Sequence, residues 1–189
     1  MFESLPDIPR LFTALAEWGA ALVYVVVVAR SASSNALNPN ASIPRWRLGA
    51  AAVGGLVVLV GAQDLLGRAP LSLWVPGMMM AYGLMWGVIR VGTALDWRWV
   101  THMSARAFIV AELAASLAWQ VVVYSHADKP YWHPLSFGGF AAIAATCLAV
   151  VYFFERRVYR QGALPVLRFA DLASGVCIGM SIFALSNLS

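Results

Sequence analysis

Six stretches, each nearly free of charge and each about as long as the roughly twenty residues needed to cross a bilayer as a helix, run along this chain. They lie at 11–30, 47–67, 71–92, 103–124, 136–156 and 165–186. A polypeptide of 189 residues that spends itself this way has no length left for a soluble catalytic domain. The composition agrees, with 61% hydrophobic and only 12% charged residues, against roughly 25% charged in soluble domains. The expected fold is therefore all-α, a single polytopic membrane bundle of six transmembrane helices over 1–189, with the lipid bilayer as solvent.

Punctuation supports the segmentation. Pro6 and Pro9 precede the first stretch, Pro70 and Pro76 bracket the start of the third, and Pro130 and Pro134 shape the loop before the fifth. Pro165 stands where a first-turn proline is tolerated. The longest connector, SASSNALNPNASIP over 31–44, reads as a plain turn-rich loop. The first stretch lacks a basic leader and a small-residue cleavage site, so it is expected to be a retained helix rather than a removed signal peptide.

The basic residues divide unevenly between the two sides that six crossings create. Arg30, Arg45, Arg47, Arg90, Arg98, Arg106, Arg156, Arg157, Arg160 and Arg168 fall on one side, and Arg10, Arg68 and Lys129 on the other. Because short cytoplasmic loops retain Lys and Arg, this split predicts a cell-membrane protein with both termini on the non-cytoplasmic side. The excess of 13 basic over 9 acidic residues forms no run longer than two, so it signals topology and gives no reason to expect a nucleic-acid partner. Most tryptophans and Tyr124 and Tyr131 lie near segment ends, as interfacial aromatics do.

Ionisable residues inside such segments cost at least about 2.5–3.5 kcal/mol at the bilayer centre and need a reason. Glu17 lies in LFTALAEWGAALVY on one face with Thr13 and Tyr24. It is either a ligand-facing carboxylate or a group solvated near the interface. In the fourth segment Glu112, Ser116 and Gln120 recur at i, i+4 and i+8, and Ser104 extends the line. Such a stripe is expected to face the bundle interior or a water-filled cavity, as a ligand site or as a polar network fixing helix register. Arg106 and Arg90 read as residues that snorkel to the interface. Asp64 and Arg68, four apart, suit an intrahelical ion pair.

The loop SHADKPYWHP carries His126, Asp128 and His133, too few ligands in too loose a spacing for a metal site. It suits an outward vestibule instead, with Tyr131 and Trp132 as an aromatic wall. Gly83 with Gly87, and Gly175 with Gly179, have the spacing that lets membrane helices approach closely. Cys147 and Cys177 lie in apolar runs and read as small hydrophobes. No phosphate-binding loop, nucleophile elbow or zinc-protease helix occurs, so no catalytic residue and no cofactor is assigned, and whether an enzyme is involved is left open. Ala16, Glu17, Ala20 and Leu22 are echoed by Ala111, Glu112, Ala115 and Leu117, half a chain later, a pattern that an inverted repeat of three helices would produce.

Three stretches, IPRLFTALAEWGAALVY, SARAFIVAELAASLAWQ and IFALSNLS, resemble the polytopic N-terminal sensor region of GHKL-domain membrane histidine kinases, the peptide-sensing members of bacterial two-component systems. The resemblance implies signal reception by the membrane helices, an extracellular peptide or small-molecule ligand, a kinase module or response regulator as partner, and self-association of the chain. The sequence carries no phospho-accepting histidine region and no ATP-binding motif, so no kinase residue is carried over. Glu17 and Glu112 are implied only as sensor-region residues. From the polar residues of the segments and the aromatic loop, not from the resemblance, the ligand-binding candidates are Glu17, Glu112, Ser116, Gln120, Tyr131 and Trp132. The competing expectations are a small six-helix permease or substrate-binding transporter subunit, and a purely structural membrane subunit.

Overall fold

The computed structural model describes residues 8–34, 43–70, 73–93, 95–125 and 133–160, together with the single positions 173, 175, 177 and 178. The described residues form helices and turns without a strand. Five helices are seen: α1 (Arg10–Ser34), α2 (Arg45–Gly67), α3 (Trp74–Thr93), α4 (Trp97–Ser125) and α5 (Pro134–Arg160). Each of the first five apolar stretches thus becomes a helix, with ends within six residues of those expected, because a run of apolar side chains in a helix is closed to water on every face. The sixth stretch, 165–186, lies almost wholly outside the described residues.

Four of the five helices, α1, α2, α4 and α5, are long and apolar enough to cross a membrane. The third does not reach that standard. Pro76, four glycines, two tryptophans and Arg90 dilute the apolar content of α3 despite its 20 residues.

Named contacts fix the packing. Along the α2–α3 boundary Leu66 meets Gly77, Val88 meets Gly55 and Ala51 meets Gly92, a constant antiparallel register. Phe12 against Trp119, with Tyr24 and Arg106 further along, makes α1 and α4 antiparallel. Phe12 against Phe140, Gly19 against Leu148 and Tyr24 against Glu155 make α1 and α5 parallel. Successive helices therefore alternate in direction, and α1 lies inside the arc formed by the other four, touching each of them. It carries a buried face of small and medium residues, Ala16, Ala20, Ala21 and Val25. The outer helices turn apolar side chains outward, as Val53, Val57 and Leu65 do on α2 and Phe153 and Phe154 on α5, which suits a lipid environment.

Close approach is managed by glycines other than those the spacing rule singles out. A Cβ at Gly92 would stand 2.7 Å from both γ-carbons of Val25, one at Gly19 would stand 2.6 Å from Leu148, and one at Gly77 would overlap Leu66. At Gly83 and Gly87, by contrast, a Cβ would meet nothing within 4 Å among the described residues. The spacing motif marks a small-residue face but not what lies opposite it, and here another face of α3 meets the bundle. Gly175 is in ordinary contact range of Ala105 on α4, and Gly179 lies outside the described residues.

The second helix changes pitch over Ala50–Gly54, where one π-helical turn interrupts the α-helix. Gly49, Gly54 and Gly55 flank or close the turn. A π-turn turns carbonyls out of line with the α-helical ladder, and the indole of Trp18 on α1 donates to the Ala52 carbonyl at 2.7 Å. Trp18 is thus an interhelical donor rather than an interfacial anchor.

Candidate functional site

Among the described residues, the buried carboxylates fall into two groups, and both involve α1. The first surrounds Glu17. The helix begins as Phe12 and Thr13 donate their backbone N–H groups to the Pro9 carbonyl, so Arg10, Thr13 and Glu17 follow one another up a single face. Glu17 is completely buried, which rules out solvation at the interface. The amide Nε2 of Gln63 on α2, also completely buried, donates to its Oε1 at 2.9 Å. Glu112 on α4 is 8% exposed and acts on Glu17 through its charge. The Arg10 guanidinium, whose stem packs over Gly67, acts electrostatically on both carboxylates. Three oxygens here are buried with no hydrogen-bond partner: Glu17 Oε2, Gln63 Oε1 and Glu112 Oε1.

Beyond Glu112 the fourth-helix stripe does not stay inside. Ser104 is buried and returns its hydroxyl to the Val100 carbonyl of its own helix at 2.7 Å. Ser116 is only half-buried and Gln120 is exposed. The reason is angular: steps of four residues advance 400° on a helix turning 100° per residue, so eight residues swing the line about 80° from Glu112. Glu112 faces the bundle and Gln120 has rotated out of it. Tyr131 and Trp132 lie outside the described residues, as do His126 and Asp128.

The second group lies nearer the opposite end of α1. The Tyr24 hydroxyl donates to Glu155 Oε1 on α5 at 3.1 Å, and the Arg106 guanidinium on α4 meets the same oxygen at 2.5 Å. The Glu155 side chain is 4% exposed and that of Arg106 is 44% exposed. Arg106 is therefore an interhelical ion-pair partner rather than a residue reaching alone for the interface. Tyr24, Arg106 and Glu155, with Ile109, Val110, Val151 and Phe154, line an open groove of about 300 Å³. A turn further on, Arg30 donates to the Tyr152 hydroxyl at 2.6 Å.

Of the sequence candidates, Glu17 and Glu112 are brought together, Ser116 and Gln120 are not. Gln63, which donates to Glu17, and Glu155, which meets Tyr24 and Arg106, are additions from the structure. Gln63 stands beside Asp64, whose ion pair with Arg68 at 2.7 Å forms as the spacing predicts. That neighbouring pair drew attention to the outer face of α2 and away from the inward amide. Glu155 is followed by Arg156 and Arg157, and in sequence the three read as a charged helix end.

Chemically, the Glu17 group offers acceptor oxygens in excess of donors, and the Glu155 group offers an ion pair through Oε1 at the edge of a groove, with Oε2 buried and without a partner. Among the described residues, no three His, Cys, Asp or Glu side chains converge as metal ligands. Compared with models of protein families, with curated proteins and with solved structures, the chain matches none.

Proposed function

We propose that this chain is a multi-pass cell-membrane protein of six crossings, with both termini on the non-cytoplasmic side, that receives a signal through the polar group around Glu17. The orientation is supported by the two ends of the described bundle. Arg30, Arg45, Arg47, Arg90, Arg98, Arg106, Arg156, Arg157 and Arg160 gather toward one end, and Arg10 and Arg68 at the other. The arginine-rich end is the cytoplasmic one on the positive-inside rule.

One observation carries the functional reading. The buried carboxylate of Glu17 sits on the helix that touches all four others, next to acceptor oxygens that lack partners. Buried ionisable groups in membrane helices mark functional sites by default, and a change in what occupies this one reaches every helix at once through α1. The resemblance to the sensor region of GHKL histidine kinases gives the signal a destination, a kinase module and response regulator of a two-component system. A second reading, a small permease, is favoured by the juxtaposition of Glu17 and Glu112 across α1 and α4, the two residues related by the half-chain echo.

The test is made in cells. The DNA around the gene is read for an ATP-binding kinase module and a response regulator, and a reporter driven by that regulator is measured with Glu112→Gln. Signal reception predicts such genes and a reporter locked in one state at unchanged protein level. Absence of signalling genes, with loss of solute uptake in the variant, would replace this reading with the permease. Single cysteines at Asp96 and Arg68, in a background lacking Cys147 and Cys177, should label from the cytoplasmic and outer sides respectively. The reverse pattern overturns the orientation.

A further inference from the structure

The hydrogen-bond inventory around Glu17 is unbalanced in a specific way. Gln63 gives one N–H to Glu17 Oε1, and the two atoms left over on this pair, Glu17 Oε2 and Gln63 Oε1, are both acceptors and both buried without a partner. Each buried acceptor left without a donor keeps its desolvation cost. A carboxylic acid and a primary amide pair naturally through two parallel bonds, N–H to carbonyl and O–H to amide oxygen, and the missing element of that ring is a single hydrogen.

The charges make the same count. Among the described residues the charged groups that act on Glu17 are Arg10 from its own helix and Glu112 from α4, while α2 contributes the neutral amide of Gln63. Among the described residues of α3 and α5, the neighbours of this part of α1 are apolar, Met85 and Ile89 in one case and Phe140, Ala144 and Leu148 in the other. Among the described residues two carboxylates and one guanidinium act on one another here, and a proton on one carboxylate removes a negative charge from an apolar interior. Glu112, slightly exposed, is the carboxylate placed to remain ionised against Arg10; Glu17, with no exposure, is the one placed to hold the proton.

We infer that Glu17 is a proton-binding site, held as the neutral acid in a two-bond ring with Gln63, and that the occupant sensed or carried by this chain is a proton. The inference rests on reading the Glu17 group as the functional site, but it is tested separately. The proton passes from water to Glu17 Oε2 and is donated to Gln63 Oε1; no other bond changes. A metal ion between the two side chains is disfavoured by their direct contact at 2.9 Å.

The experiment is infrared spectroscopy of the full chain in lipid nanodiscs at neutral pH, in H2O and D2O. A protonated-carboxyl C=O band that shifts on deuteration is expected. It should disappear in Glu17→Gln, whose amide keeps the ring closed and the fold intact, and persist in Glu155→Gln. Gln63→Leu keeps the acid but removes its donor, so the band should move to higher frequency. Absence of the band in the wild type, its survival in Glu17→Gln, or a band unmoved by Gln63→Leu overturns the inference. Sodium chloride titrated into the wild type gives the remaining arm: if the band is absent and sodium raises the melting temperature of the wild type but not of Glu17→Gln, sodium is the occupant. None of these failures touches the reporter measurement, which tests signal reception whatever the occupant.

Discussion

Gly92 lies where α1, α2 and α3 meet, and replacing it by alanine tests the packing there. The added Cβ would fall 2.7 Å from Val25 Cγ1, 2.7 Å from Val25 Cγ2 and 3.1 Å from Ala51 Cβ. Carbon atoms rest about 3.5–4.0 Å apart, so Val25 has to retreat by about 1 Å. It cannot do so by swinging a flexible tip, because both branches leave the same Cβ and its side chain is buried. The helices themselves must part, which costs about 1–3 kcal/mol in a close-packed interior. Better helix propensity returns about 0.5–1 kcal/mol, leaving a net loss of about 1–2 kcal/mol. Gly83→Ala on the same helix is the control, since its Cβ meets nothing within 4 Å, and it keeps the propensity gain. The two variants should therefore separate by about 2 kcal/mol in reversible unfolding by SDS in mixed micelles, followed by circular dichroism. Equal midpoints would refute the three-helix junction, and a destabilised Gly83→Ala with a neutral Gly92→Ala would mean that α3 presents its other face.

The remaining expectations concern polar contacts. Removing one partner of the Arg106–Glu155 pair should cost more from the arginine side: Arg106→Met strands a buried carboxylate, at about 3 kcal/mol, whereas Glu155→Gln frees an arginine that can extend to water, at about 1 kcal/mol. Thermal unfolding of the two variants and the double variant checks this, and a larger loss for Glu155→Gln would mean that Glu155 reaches solvent. Trp18→Phe deletes the bond to the Ala52 carbonyl and should lower stability by about 1 kcal/mol, with amide exchange accelerated over Ala50–Gly54 relative to Gly55–Gly67. Uniform exchange along α2 would detach the π-turn from Trp18.

The helices were legible in the sequence because apolar runs and proline punctuation are local signals, and a lipid solvent leaves the backbone few alternatives to a helix. Two of the buried acids were legible for the same reason: Glu17 and Glu112 interrupt those runs, whereas Glu155 stands in a charged helix end. Their surroundings were not. Which side of α2 Gln63 faces, and which helix receives Arg106, depend on the rotation of one helix against another, and that is set by packing volumes such as Gly92 against Val25. The glycine spacing at Gly83 and Gly87 records only that a face is small, and among the described residues nothing stands close against it. The line from Glu112 to Gln120 misled because steps of four drift around a helix, so the far end leaves the interface that the near end enters.

The central position of α1 also sets an order of assembly. During synthesis α1 leaves the ribosome ahead of α2, α3, α4 and α5, so the carboxylate of Glu17 emerges before the helices that bury it. The partner Gln63 is 46 residues behind, and Glu155, which Tyr24 needs, is 131 residues behind. The α1–α2 hairpin can therefore close as soon as the second helix is made, hiding Glu17 from lipid and seating Trp18 on the π-turn, while the Tyr24 end of the same helix waits for nearly the rest of the bundle. A ribosome stalled after α2 should already hold the Glu17–Gln63 contact, and one stalled before α5 should leave Arg106 and Tyr24 open to other company in the membrane.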